Sequence, residues 1–88
     1  MNFTHYDLGT LNGGATVEVT LSGNAANVLL LDSSNFNNYR NGRQYKYYGG
    51  HFTRSPVRIN VPHTGHWHVA VDLGGYRGSV KSSVRILN

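Results

Sequence analysis

Ala15-Thr16-Val17-Glu18-Val19-Thr20-Leu21-Ser22 is the stretch that decides the fold. Val17, Val19 and Leu21 point to one side, while Thr16, Glu18 and Thr20 point to the other. A strict period of two places one face of a strand in a core and the other in water. The same signal recurs outward from it. Phe3 to Asp7 reads as a first strand, Val57 to Val61 and Trp67 to Val71 as later ones, and Ser79 to Leu87 as the last. Gln44 to Tyr48 is also read as a strand, from its tyrosines. Val28-Leu29-Leu30-Leu31 is apolar at every position, as expected of a strand covered on both faces.

Between these runs lie Gly13-Gly14, Gly23-Asn24, Gly49-Gly50, Pro62-His63-Thr64-Gly65 and Gly74-Gly75, the chemistry of tight connections between strands. One segment departs from the pattern. From Asp32 to Gly42, an Asp that can cap, an apolar pair Phe36 and Tyr39 at i,i+3, and Arg40 before Asn41-Gly42 predict one short helix near residues 33–41. The expected architecture is all-β: an antiparallel two-sheet sandwich, jelly-roll-like, of seven or eight short strands. Val17, Val19, Leu21, Leu30, Val57, Ile59, Val61, Trp67, Val69, Val71, Val80, Val84 and Ile86 form the predicted core.

The chain has 88 residues, enough for one domain, here 1–88. It contains no cysteine, so disulfides, thiolate metal sites and thiol nucleophiles are excluded together. No run approaches the ~20 apolar residues of a membrane span. The first residues carry neither a basic start nor an apolar run, so the cytoplasm is the expected location. Eight Lys and Arg against four Asp and Glu give a net charge of +4, a mild bias towards acidic or phosphate-bearing partners.

Enzyme signatures are missing. No Gly-x-Ser-x-Gly elbow, phosphate-cradling loop or dinucleotide fingerprint occurs, and Asp7, Glu18, Asp32 and Asp72 show no spacing that pairs carboxylates. No catalytic residue and no cofactor are expected. Asp32 is read as the helix cap.

Two segments carry chemistry. Between Tyr39 and Arg54 the chain interleaves rings and cations: Tyr39, Arg40, Arg43, Tyr45, Lys46, Tyr47, Tyr48 and Arg54. Such a mixture suits a binding surface for a protein, a glycan or an anionic ligand, and it also suits single-stranded nucleic acid, with rings on bases and cations on phosphates. The loop Leu73 to Gly78 adds Tyr76 and Arg77. The second segment is Gly65-His66-Trp67-His68-Val69. On a strand, His66, His68, Ala70 and Asp72 share an outer face, and His66 and His68 are close enough to share a metal, with His63, His51 or His5 as a third ligand. An ordinary polar outer face would hold the same histidines. Arg58, Lys81 and Arg85 would form a positive stripe if their strands were neighbours.

Several stretches together carry a resemblance that runs the length of the chain. They are Asn2-Phe3 with His5-Tyr6-Asp7-Leu8-Gly9, Val17-Glu18-Val19, Leu31-Asp32-Ser33-Ser34-Asn35-Phe36, Tyr48-Gly49-Gly50-His51, Ser55-Pro56-Val57-Arg58, and Gly65-His66-Trp67-His68-Val69 with Val71-Asp72-Leu73-Gly74-Gly75. In this combination the chain resembles a small bacterial family known as domain of unknown function 1883. The resemblance implies a compact β-sandwich that occurs alone or joined to signalling domains of the Toll/interleukin-receptor type, and hence a sensor or adaptor. It brings no activity and no site residues. The function expected from all this is a non-enzymatic binding module.

Overall fold

The computed structural model describes residues 2–87, so Met1 and Asn88, the outermost residues of the expected 1–88 domain, lie outside the described residues. The alternating stretch forms β2 (Thr16–Gly23), the centre of a three-stranded sheet between β5 (Val57–Asn60) and β7 (Val80–Leu87). Val17 stands opposite Ile59 on one side and Ile86 on the other, and Val19 opposite Val57 and Val84. The second sheet has four strands in the order β1 (Thr4–Leu11), β6 (Gly65–Asp72), β3 (Ala26–Asp32) and β4 (Tyr48–Phe52). Every ladder is antiparallel. The sheets face each other across one core that joins Val17, Val19, Val57 and Ile59 to Val28, Leu30, Trp67, Val69 and Val71. This is the expected two-sheet sandwich. Of the predicted core, Leu21, Val80, Val84 and Ile86 are only partly buried, because β7 is an edge strand and Leu21 lies towards the far end of β2.

The apolar run in β3 has the cause anticipated for it. Val28 and Leu30 enter the core, while Leu29 and Leu31 face outward beneath α1 (Ser33–Arg40), packed with Phe36, Tyr39 and Ala70. Asp32 caps that helix, its carboxylate accepting the Asn35 amide N–H at 2.8 Å. The helix overturns one expectation. The outer face of β6 is not uniformly wet: His68, Ala70 and Asp72 are buried, and only His66 is exposed. No helix of the described residues is long and apolar enough to cross a membrane.

Most strands lie within two residues of their predicted bounds, and two depart further. Gln44 to Tyr48 was expected to be a strand, but the strand starts where that run ends, at Tyr48. Residues 43–47 instead trail along the helix, held by the Lys46 amide N–H donating to Asn35 Oδ1 at 2.8 Å. The Gly49-Gly50 pair therefore works inside a strand and not as a turn. Gly49 has φ +120°, and a Cβ there would lie 2.1 Å from the Val28 carbonyl oxygen. Only glycine lets β4 approach β3 so closely.

The first strand is longer than predicted and carries a bulge between Asp7 and Gly9. The extra residue resets the alternation. Leu8 and Leu11, three apart, both reach the core, while Asp7 and Thr10 pair with His68 and His66 on the outer side. Tyr6 ties the two sheets together, its hydroxyl meeting the Ser82 carbonyl oxygen at 2.8 Å.

Candidate functional site

The outer face of β6 is crossed at its middle by α1, which leaves chemistry at both ends. At the Asp72 end, β3 pairs Asn27 with Asp72 in register and β4 pairs His51 with Asn27. The three side chains form a row. Asp72 Oδ1 accepts from Asn27 Nδ2 and from the Gly74 amide N–H, both at 2.8 Å, and Oδ2 accepts from the Tyr39 hydroxyl at 2.5 Å. Asn27 Oδ1 lies 3.2 Å from His51 Nδ1. Burial, and then the Asp72 carboxylate, push the Tyr39 hydroxyl well above the ordinary phenol range, so it stays a donor.

Above this row opens a cleft of about 300 Å³, lined by Tyr45, Tyr47, Asn27, His51, Asp72 and Gly74 among others. The rings of Tyr45 and Tyr47 are 5.7 Å apart and tilted by 47°. Tyr45 is backed edge-on by Tyr39 at 5.2 Å, whereas Tyr47 is 47% exposed. A larger cleft of about 430 Å³ lies on the other side of Asp72, under Leu73, Gly75 and Tyr76 and against Phe3 and Thr4.

The predicted surface is thus divided. Tyr45 and Tyr47 share a cleft with Gly74 of the 73–78 loop, and Tyr76, 84% exposed, borders the other cleft. Tyr39 is a correction: at 6% exposure it belongs to the interior, because it sits on the helix face that packs on the sheet. Tyr48 is exposed at the sheet edge, its ring edge-on to Trp67 at 6.1 Å. Arg40, Arg43, Lys46, Arg54 and Arg77 are exposed and line neither cleft. Arg40 lies over the Phe36 ring, 5.7 Å from its centre. Asn27 and Asp72 escaped the sequence reading of this surface, since only the β3–β6 register makes them neighbours.

At the opposite end, β6 presents His66 and His68, with rings stacked at 4.9 Å. His68 is 7% exposed and its two ring nitrogens are both engaged: Nε2 is 2.9 Å from Ser33 Oγ, and Nδ1 is 2.9 Å from His5 Nε2. Its other neighbour is the Phe36 ring, stacked at 4.9 Å. Burial holds the His68 pKa below its ordinary value. His66 Nε2 lies 2.6 Å from Asp7 Oδ1, which also accepts the Gly9 amide N–H of the bulge at 3.0 Å. That backbone hydrogen bond, and then His66, hold the Asp7 carboxyl below the usual range. Of the third partners foreseen for the His66–His68 pair, His5 adjoins His68, His51 lies in the other cleft, and His63 packs on Trp67 at 5.1 Å. Asp7, not foreseen, is the group beside His66.

The positive stripe does not form. Arg58 and Arg85 stand on either side of β2 and both bind Glu18, at 2.9 and 2.5 Å. The strands that carry the cations are separated by β2, and the shared carboxylate offsets one of the two Arg charges.

Compared with known proteins, the chain matches over residues 1–88 the family described as "Domain of unknown function (DUF1883)". No curated protein and no solved structure matches it.

Proposed function

Since the chain belongs to the DUF1883 family, whose description names no activity, we propose from geometry that it is a non-enzymatic binding module seated on the Tyr45–Tyr47 cleft. One observation carries the reading: Tyr45 and Tyr47 of the tyrosine-rich segment and Gly74 of the 73–78 loop, far apart in sequence, line one cleft with a polar floor. Two rings supply flat apolar walls with polar tips, and Asn27, His51 and Asp72 supply fixed hydrogen-bonding groups between them. Tyr39, Asn27 and Gly74 fix the Asp72 carboxylate in advance, so a ligand finds its partners already oriented.

The chemistry selects among the ligand classes. A carboxylate in the floor and no Lys or Arg in the lining oppose an anion. The same features suit a neutral, hydroxyl-rich ligand, whose ring faces stack on tyrosine and whose hydroxyls donate to the floor. A glycan is that ligand. Sensing or adaptor duty in a bacterial cytoplasm fits a chain without cysteine.

Titration of the amide-resolved NMR spectrum with neutral mono- and oligosaccharides tests this. Saturable shifts at Tyr45, Tyr47, Gly50, His51 and Gly74 are expected. Tyr47→Ala should weaken binding by about tenfold, the loss of a stacking ring, while changing stability by less than about 0.5 kcal/mol at its exposed site. Shifts elsewhere, or salt-sensitive shifts with oligonucleotides and none with saccharides, would sink the proposal.

A further inference from the structure

The His66 end of the same face has a different chemistry. Ligand atoms of Asp7, His66 and His68 all lie within 4.8 Å of one another. Four ligands around a tetrahedral Zn2+, each about 2.0–2.2 Å from it, are about 3.3 Å apart. The set is therefore close to the size of a coordination sphere. The two members that must adjust are those free to do so, His66 and Asp7, whose side chains are 47% and 56% exposed.

The third member is the anchor. His68 is buried between Phe36 and the sheet, and Ser33 Oγ at 2.9 Å holds its Nε2, leaving Nδ1 as the ligating nitrogen. A hydrogen bond to the non-ligating nitrogen is what orients a metal-binding imidazole. The Gly9 amide N–H, accepted by Asp7 Oδ1, turns that exposed carboxylate towards His66 without locking it. Both exist only because α1 begins over β6 and because β1 bulges after Asp7.

We propose that Asp7, His66 and His68 form a site for one divalent transition ion, Zn2+ foremost, with its fourth position open to solvent. Two imidazoles and a carboxylate match borderline first-row ions and not Ca2+ or Mg2+, which take oxygen ligands. The ion replaces the Asp7–His66 contact and the His5 hydrogen bond to His68 Nδ1. The site is independent of the Tyr45–Tyr47 cleft and stands or falls without it.

Calorimetry with ZnCl2 on the untagged full chain, freed of metal by chelator, reads the stoichiometry, and long-range 1H–15N spectra read the imidazoles. One equivalent should bind, moving the ring nitrogens of His66 and His68. Asp7→Asn and His66→Ala should each weaken binding by at least about tenfold, and His63→Ala by less than about twofold. Both site variants lie at exposed positions and should retain the circular dichroism of the parent, so His68→Ala is not needed. Absence of saturable binding overturns the proposal. So does binding that survives Asp7→Asn, or that falls equally with His63→Ala, since either marks adventitious chelation by surface histidines.

Discussion

Asp72 is 5% exposed, yet its charge is met by donors from three directions: Asn27, the Gly74 amide and the Tyr39 hydroxyl. Removing it strands the buried Tyr39 hydroxyl and leaves the part-buried Asn27 and Gly74 donors without their partner. Asp72→Ala should therefore cost about 3 kcal/mol, read from urea midpoints, and Tyr39→Phe about 1 kcal/mol. A loss below about 1 kcal/mol for Asp72→Ala would mean that water replaces the carboxylate freely. Glu18 makes a second, pH-dependent case. Arg85 foremost, and then Arg58, hold its carboxyl below the usual range. A folded-state pKa that is depressed means the unfolded chain takes up the proton first. Stability from this group is thus complete above the ordinary carboxylate value, about 4.3, and is lost as pH falls from there through the lower folded value. Glu18→Gln should flatten the decline of the urea midpoint between neutral and strongly acid pH; an unchanged slope would exclude Glu18 as its source.

Single strands and turns show where pattern and outcome part. The β2 alternation, the doubly covered β3 run and the capped helix were all legible, because each is a local pattern with one structural solution. The β4 strand was not. Its tyrosines advertise strand propensity, but the deciding fact is backbone proximity, which appears only as Gly49 against Val28. Gly49→Ala should destabilise by at least about 2 kcal/mol through strain and clash together, while Gly42→Ala, with nothing near its Cβ position, should pay only for its φ of +72°. Comparable losses at both positions would show that close approach to β3 is not what selects glycine. The bulge in β1 was equally invisible. It has no sequence signature beyond Gly9, yet it decides that Leu8 and Leu11 both face inward and that Asp7 stands beside His66. Both candidate sites inherit this limit: their histidines and tyrosines were legible, while Asp7, Asn27 and Asp72 joined them only through cross-strand register.

For the molecule as a whole, the pairing scheme sets the folding speed. Of the five ladders only β3–β4 joins strands consecutive in the chain, and α1 lies between those two. Loops must close before most contacts reward them, so refolding should occupy milliseconds to seconds and not microseconds. Trp67, the sole tryptophan and 1% exposed, is a built-in probe for stopped-flow fluorescence. A microsecond phase of full amplitude would contradict the topology argument. The helix that crosses the four-stranded sheet is fastened at its first turn by Ser33 to His68 and at its last by Tyr39 to Asp72. A segment buckled at both ends has no free end from which to unravel. Its hydrogen-bonded amides should therefore exchange through one common opening, the whole turn-pair lifting off or staying down as a unit.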